Sequence, residues 1–199
     1  MALALVLFSP SLLAAQTWGH VGERSQGMGG AFVAVADDAS AIYWNPAGLA
    51  TGSTFDAQID LGAPKTTKGV PAAGRNMFVG ASLPVLAFAY YRTHPAVFTS
   101  ADRKNGGSGE VRVSALETQN AGVSLVQTVV KTLVMGSTLR LVHGAGRTAF
   151  DLDLGTMASM GDIRVGLTAR NLRKPLDMQR QVRLGVAFVP RSLPTGVLR

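Results

Sequence analysis

The chain contains no cysteine, so disulfide bonds and thiolate metal sites are excluded. Aromatic residues make up only 7% of the 199 residues, and charged residues only 16%. Acidic residues are scarcer than basic ones, 12 against 19, but the basic side chains are dispersed, which argues against nucleic acid as a partner. Beyond the N-terminus no apolar run is long enough for a transmembrane helix. With 47% hydrophobic residues and 23 glycines, the sequence favours one domain built from short apolar segments.

The N-terminal stretch MALALVLFSPSLLAA has the apolar core of a secretory signal. Small residues Ala14 and Ala15 precede a suitable cleavage point near Gln16, although the basic residues that usually open such a signal are missing. A buried N-terminal helix is the alternative, and Pro10 disfavours it. We therefore expect residues 1–16 to be a signal peptide and the protein to be exported.

Residues 17–53 are predicted to form a compact, turn-bounded, plug-like segment. Its glycines permit close backbone approach, its paired aspartates offer helix-capping oxygens, and its Asn-Pro-Ala sequence forms a turn. These positions are Gly27, Gly29, Gly30, Asp37, Asp38, Asn45, Pro46 and Ala47. A phosphate loop is not expected, because Phe32 stands where the dinucleotide fingerprint has its third glycine. A metal site is not expected either, since two adjacent aspartates without a third oxygen ligand are more typical of a helix N-terminus.

Residues 54–199 are predicted to form an antiparallel β-sheet of roughly nine strands joined by turns and polar loops. Around Pro84 the pattern fits either two short strands or one bulged strand. The predicted strands are Thr54 to Leu61, Phe78 to Leu83, Val85 to Arg92, Glu110 to Glu117, Gln119 to Thr128, Leu133 to His143, Phe150 to Met160, Asp162 to Leu172 and Gln181 to Val189. The longest connections are predicted loops, Ala63 to Arg75 and Thr93 to Gly109.

Apolar and polar residues alternate along these strands, so that Val165 and Leu167 share one face while Arg164 and Thr168 share the other. This pattern fits either a half-exposed soluble sheet or a membrane barrel with a polar lumen, and strand lengths near ~9–11 residues favour the membrane. Lumen-facing charges are then the candidates for tuning what passes, and structural ion pairing between strands is the alternative. The candidates are Arg112, Arg140, Asp151, Asp153, Arg164, Arg170 and Arg183.

Several motifs resemble a known family. The order Arg24-Ser25, Gly27-Met28-Gly29-Gly30-Ala31, Asp37-Asp38-Ala39-Ser40 and Trp44-Asn45-Pro46-Ala47-Gly48-Leu49 resembles the N-terminal segment of FadL-type outer-membrane barrels, closest to the PorV/PorQ-like branch. Asp153-Leu154-Gly155, Gly166 to Leu172 and Val182 to Val186 resemble strands of the same branch. The similarity covers most of the chain.

The resemblance implies an all-β, antiparallel transmembrane β-barrel in the bacterial outer membrane, in contact with lipid. The Asn45-Pro46-Ala47 segment would lie in the barrel mouth or lumen. The implied function is passage of hydrophobic small molecules, and the alternative is a PorV-like docking or scaffold component of a secretion system that binds secreted proteins. A soluble β-sandwich binding module is a third possibility if the first fifteen residues are not a signal.

No enzyme activity and no cofactor are expected, because no histidine has a serine or carboxylate at a converging spacing. An odd number of strands cannot close an antiparallel barrel, and residues 194–199 lack a terminal aromatic strand. The sequence is therefore expected to be a C-terminally truncated portion of a larger barrel.

Overall fold

The structure is a computed structural model that describes residues 21–62, 76–94, 96–100, 111–115 and 117–189, with the backbone alone for 96–100 and 111–115. The predicted signal peptide, the predicted loop of residues 63–75 and the last ten residues lie outside these ranges.

The N-terminal segment, defined here as residues 21–53, consists of short helices joined by turns. It contains α1 (Glu23–Gly27), α2 (Ala41–Trp44) and a 3₁₀ helix (Pro46–Thr51). The predicted turn at Asn45-Pro46 proves to be the start of this 3₁₀ helix. Pro46 suits a first helical position, and the Asn45 side-chain oxygen accepts a hydrogen bond from the Ala47 N–H at 3.2 Å.

Ten strands follow in the described residues. They are β1 (Asp56–Gly62), β2 (Asn76–Ser82), β3 (Leu86–Thr93), β4 (Ala96–Ser100), β5 (Val111–Ala115), β6 (Thr118–Val130), β7 (Leu133–Gly144), β8 (Arg147–Met160), β9 (Ile163–Arg170) and β10 (Gln181–Phe188), with a second 3₁₀ helix (Pro175–Asp177) before β10. Eight of them form one sheet in the order β1-β2-β3-β6-β7-β8-β9-β10, while β4 and β5 form a separate two-stranded sheet. Pro84 lies in the turn between β2 and β3, as in the two-strand alternative.

One sequence prediction is wrong in this region, and a second is confirmed as a strand with a different partner. The predicted loop Thr93 to Gly109 contains β4, whose Ala-Val-Phe-Thr-Ser sequence is rich in residues that favour strands. The predicted strand Glu110 to Glu117 forms as β5, but it pairs with β4 rather than with the main sheet, because β3 pairs directly with β6 from Thr93 opposite Thr118.

The main sheet is antiparallel throughout and is not closed into a barrel. Within the described ranges, β1 and β10 each have one edge without a partner strand. None of the helices in those ranges has the length and apolar character that a membrane crossing requires.

The two faces of the sheet differ in exposure and in the side chains that they carry. On the face that we call the exposed face, Leu184 is 70% exposed and Phe150 is 64% exposed. On the other, the covered face, Arg140 is 4% exposed and Asp151 is 1% exposed. The predicted alternation is confirmed in β8, β9 and β10, where neighbouring residues alternate between these faces.

Candidate functional site

The N-terminal segment packs on the covered face where the strands carry glycine. Gly136 of β7 lies opposite Gly155 of β8, and Gly166 of β9 lies opposite Gly185 of β10. A Cβ atom added to Gly136 would lie 2.5 Å from the Ala47 nitrogen. Glycine is needed at such positions because the two backbones approach too closely for any side chain.

Side-chain hydrogen bonds help to fasten this segment to the sheet. The buried Asn45 side chain donates hydrogen bonds to the carbonyl oxygens of Val33, at 2.9 Å, and Thr156 in β8, at 3.0 Å. The Thr168 hydroxyl in β9 donates to the Trp44 carbonyl oxygen at 3.0 Å. The predicted Asn45-Pro46-Ala47 motif is therefore the part of the segment that contacts β7 and β8.

The predicted aspartates pair with an arginine of α1. Arg24 Nη1 donates to Asp37 Oδ1 at 2.7 Å and to Asp38 Oδ2 at 2.8 Å. The hydrogen bond to Asp37 raises the pKa of Arg24, and the two negative charges add to this effect. Asp38 Oδ1 accepts the Ser40 N–H at 3.0 Å, so it stabilises the turn before α2.

The predicted glycines of this segment have different roles. Gly27 ends α1 and has no atom within 4 Å of an added Cβ. Gly29 and Gly30 have φ values of 61° and 82°, which glycine adopts without strain, and they turn the chain toward Phe32.

Four charged side chains predicted to face the lumen form a buried ion network on the covered face. Arg140 of β7 pairs with Asp151 and Asp153 of β8, with 3.4 Å between Arg140 Nη2 and Asp153 Oδ1. Arg170 of β9 completes the network, with its Nε 3.3 Å from Asp153 Oδ2. Since all four side chains are at most 4% exposed, each charge depends on its partners for stabilisation.

Neutral partners complete this network, and the sequence did not indicate them. Arg140 donates to Tyr91 Oη and Asn120 Oδ1, both at 3.1 Å, and to Asn171 Oδ1 at 2.7 Å. Asn171 has a left-handed φ of 56°, which asparagine adopts more readily than most residues. These partners come from separate strands, so no local sequence pattern indicated them.

Two arginines also contact aromatic rings of α2. The guanidinium carbon of Arg170 lies 3.9 Å from the Tyr43 ring centre, and that of Arg183 lies 5.1 Å from the Trp44 ring centre. Burial alone would raise the pKa of Tyr43, but the positive charges of Arg183 and Arg170 outweigh burial and lower this pKa from 10.0 to about 8. The α2 helix is thus held by cations of β9 and β10.

The remaining two candidates lie apart from this network. Arg164 is half-buried near the start of β9, at the opposite end of the strand from Arg170. Arg112 belongs to β5, of which the structure describes only the backbone.

Two histidines lie at strand ends in the described part of the chain. His143 Nδ1 lies 2.8 Å from Thr148 Oγ1, and His94 Nε2 lies 3.8 Å from Glu117 Oε2, both at strand ends. In the described ranges, no three histidine or acidic residues are placed to hold a metal ion. The covered face keeps its charged side chains buried from solvent and holds the N-terminal segment in place.

Cavities among the described residues include an open groove, which Arg140 of the network also lines, and a polar cavity. An open groove of about 810 Å³ on the exposed face is lined mainly by apolar residues, among them Ala57, Ala81 and Phe88. A cavity of about 520 Å³ between the N-terminal segment and β1 is lined by Asp38 and Asp56, among others. The lining of the first is mainly apolar, and that of the second is mainly polar and charged.

Comparison of the chain with family models, curated proteins and solved structures finds no match.

Proposed function

We propose that this chain is a portion of a bacterial outer-membrane β-barrel, that residues 17–53 are its plug, and that it serves the passage of hydrophobic small molecules. In this proposal the exposed face contacts lipid and the covered face lines the lumen.

The observation that carries the proposal is the polarity of the two faces. Large apolar side chains on β1, β3, β7, β8 and β10 are exposed, whereas arginines and aspartates on the same strands or their neighbours are buried. A contiguous apolar surface across several strands is unfavourable in water and marks a membrane or partner interface. Outer-membrane strands have this alternation, with apolar residues outward and polar residues inward.

The connections between strands support the same proposal. Short turns join β2 to β3, β6 to β7 and β8 to β9 at one end of the sheet. At the other end only the β7–β8 turn is short, while the β1–β2, β3–β6 and β9–β10 connections are long. Outer-membrane barrels have short periplasmic turns and longer extracellular loops. By that rule the end with the long connections faces the outside of the cell.

Lipid contact is tested by labelling, which the absence of cysteine makes simple. A spin label on Leu184→Cys should be reached by a lipid-soluble relaxation agent in reconstituted vesicles, because Leu184 lies on the exposed face. The matched control is Arg180→Cys, in the exposed connection before β10, which should be reached by a water-soluble agent. A Leu184 label that is reached only from water would refute the membrane assignment.

Passage is tested by stapling the N-terminal segment to the sheet. A Cβ at Gly185 would lie 3.3 Å from the Ala34 Cβ, near the ~3.8 Å typical of a disulfide. The control staple joins Gly62 to Asn76, whose corresponding separation is 3.7 Å and which are paired residues of β1 and β2. Because the segment fills the covered face, passage requires it to move.

In cells that carry the protein in the outer membrane, the oxidised Ala34→Cys/Gly185→Cys variant should lose uptake of a lipophilic fluorescent dye, and reductant should restore it. The oxidised Gly62→Cys/Asn76→Cys control should retain uptake. Equal uptake by both oxidised variants would contradict passage past the N-terminal segment.

A docking or scaffold component of a protein secretion system is the second candidate. The tight packing at Gly136 and Gly155 favours it, because a fixed interior suits a protein that acts through its loops. The wild-type protein would then give no dye uptake, and either staple would leave assembly with secreted proteins unchanged.

A further inference from the structure

We infer that the connection of residues 171–180, together with Arg147, is a docking surface for the phosphate of anionic lipid headgroups. This inference rests on the proposed membrane location and adds to it a class of lipid and a binding surface.

The first support is the position of the cations. Arg173, Lys174 and Arg180 are exposed, and Arg147 at the neighbouring β7–β8 turn lies with its Nη1 3.8 Å from Asp177 Oδ2. A Cβ added to Gly144 would lie 3.0 Å from Leu176 Cδ1, so the connection folds back on the end of β7. The four cations therefore belong to one end of the sheet.

The second support is that buried carboxylates hold the backbone of this connection. Asp153 Oδ1 accepts the Asn171 N–H at 2.8 Å, and Asp151 Oδ1 accepts the Arg173 N–H at 3.2 Å. The same two carboxylates pair with Arg140 in the buried network. The backbone is thus fixed by buried charges, while the cationic side chains extend outward.

The backbone of this connection is also strained. Lys174, Leu176 and Asp177 have φ values of 53°, 50° and 62°, which residues other than glycine rarely adopt. Such strain persists only where surrounding contacts enforce it, and it is concentrated at functional sites.

The third support is the boundary on which the cations lie. Val182 and Leu184, which follow directly in β10, are 73% and 70% exposed on the exposed face. With that face in hydrocarbon, Arg173, Lys174 and Arg180 are placed at headgroup depth. Residues 171–180 contain three basic and one acidic side chain, a net charge of +2. A basic cluster beside a membrane attracts anionic lipids.

The N-terminal segment gives the contrast. Residues 21–53 contain one basic side chain, Arg24, and three acidic ones, Glu23, Asp37 and Asp38, a net charge of −2. The excess of basic side chains is thus particular to the 171–180 connection and is not shared by the N-terminal segment.

The test measures lipid selectivity in reconstituted full-length chain. Trace spin-labelled phosphatidylglycerol or phosphatidylcholine is added to phosphatidylcholine vesicles, and the motionally restricted fraction of each is compared at low salt. Wild-type protein should select phosphatidylglycerol. Lys174→Gln should weaken the selectivity by up to about fivefold, since a basic residue near an anionic surface contributes ~1 kcal/mol. Arg173→Gln/Lys174→Gln should weaken it further.

Lys131→Gln is the matched control, because Lys131 is an exposed lysine in the β6–β7 turn at the opposite end. It should keep the wild-type selectivity. Equal loss in Lys131→Gln and Lys174→Gln, or no selectivity in wild type, would overturn the inference. So would loss of selectivity on adding inorganic phosphate at constant ionic strength, since the surface would then bind free phosphate. A Leu184 label in hydrocarbon with no lipid selectivity would refute this inference alone and leave the membrane assignment intact.

Discussion

Replacing Gly136 with alanine should detach the N-terminal segment from the sheet. The added Cβ would lie 2.5 Å from both the Ala47 nitrogen and the Pro46 carbonyl carbon and 2.8 Å from the Pro46 oxygen. These are backbone atoms of the 3₁₀ helix, so no side-chain rotation relieves the overlap. Overpacking of this kind costs ~1–3 kcal/mol, and we expect the upper part of that range.

The control is Gly62→Ala in β1, where an added Cβ finds only the Asn76 Cβ, at 3.7 Å. Removing a strand glycine there should be neutral or stabilise the protein by roughly 0.5–1 kcal/mol. The two variants therefore differ in the contact with the N-terminal segment rather than in glycine content.

Two measurements check this prediction. Denaturant unfolding in detergent gives the free energy of unfolding, and limited trypsin digestion reports cleavage after Arg24, which is held by Asp37 and Asp38 in the folded segment. Gly136→Ala should unfold at lower denaturant and be cleaved faster than Gly62→Ala. If the two variants behave alike in both assays, the packing of the segment on β7 has been misjudged.

Three further predictions concern single side chains. Asp153→Asn should lower the free energy of unfolding by ~3–5 kcal/mol, because it leaves Arg140 and Arg170 without a shared buried carboxylate. A smaller loss in the double variant Asp153→Asn/Arg170→Met would confirm the coupling between Asp153 and Arg170. Tyr43 should titrate near its pKa of about 8, below the ordinary tyrosine pKa of 10.0. Its ionisation should therefore stabilise the fold fully above pH 10.0, and this gain should disappear as pH falls through about 8. Tyrosinate absorbance and unfolding curves that Tyr43→Phe leaves unchanged would contradict this. Leu184→Arg should cost ~2–4 kcal/mol in a lipid bilayer if Leu184 lies near mid-membrane, whereas comparable stability of Leu184→Arg and Leu184→Ala in lipid vesicles would argue for contact with water.

The sequence predicted the strands of the later half well, for physical reasons visible in single residues. Asp151 and Asp153 alternate with Leu152 and Leu154, and a period of two is typical of a strand whose two faces meet different surroundings. The Gly161-Asp162 turn was also predictable, because a positive φ, here 59°, favours glycine.

Other features depended on long-range contacts that the sequence does not encode locally. The alternation of apolar and polar residues shows that each strand has two different faces. It cannot show which face is covered, since a covered apolar face and a covered polar face give the same alternation. The partners of Arg140 come from β3, β6, β8 and the residue after β9, so only the sheet order brings them together. Strand β4 was missed because its residues were assigned to the polar loop Thr93 to Gly109, together with Lys104 to Gly107.

The strand count of the main sheet also constrains how the sheet can become a closed ring. Successive pairings from β1 to β10 are all antiparallel and involve eight strands, so β10 runs antiparallel to β1. Whether the number of strands inserted between β10 and β1 is even or odd then decides whether the closed sheet stays antiparallel. Direct pairing, an even set of additional strands, or the strands of a second copy keep every neighbour antiparallel. An odd set would force one parallel pair, with slanted and slightly weaker hydrogen bonding.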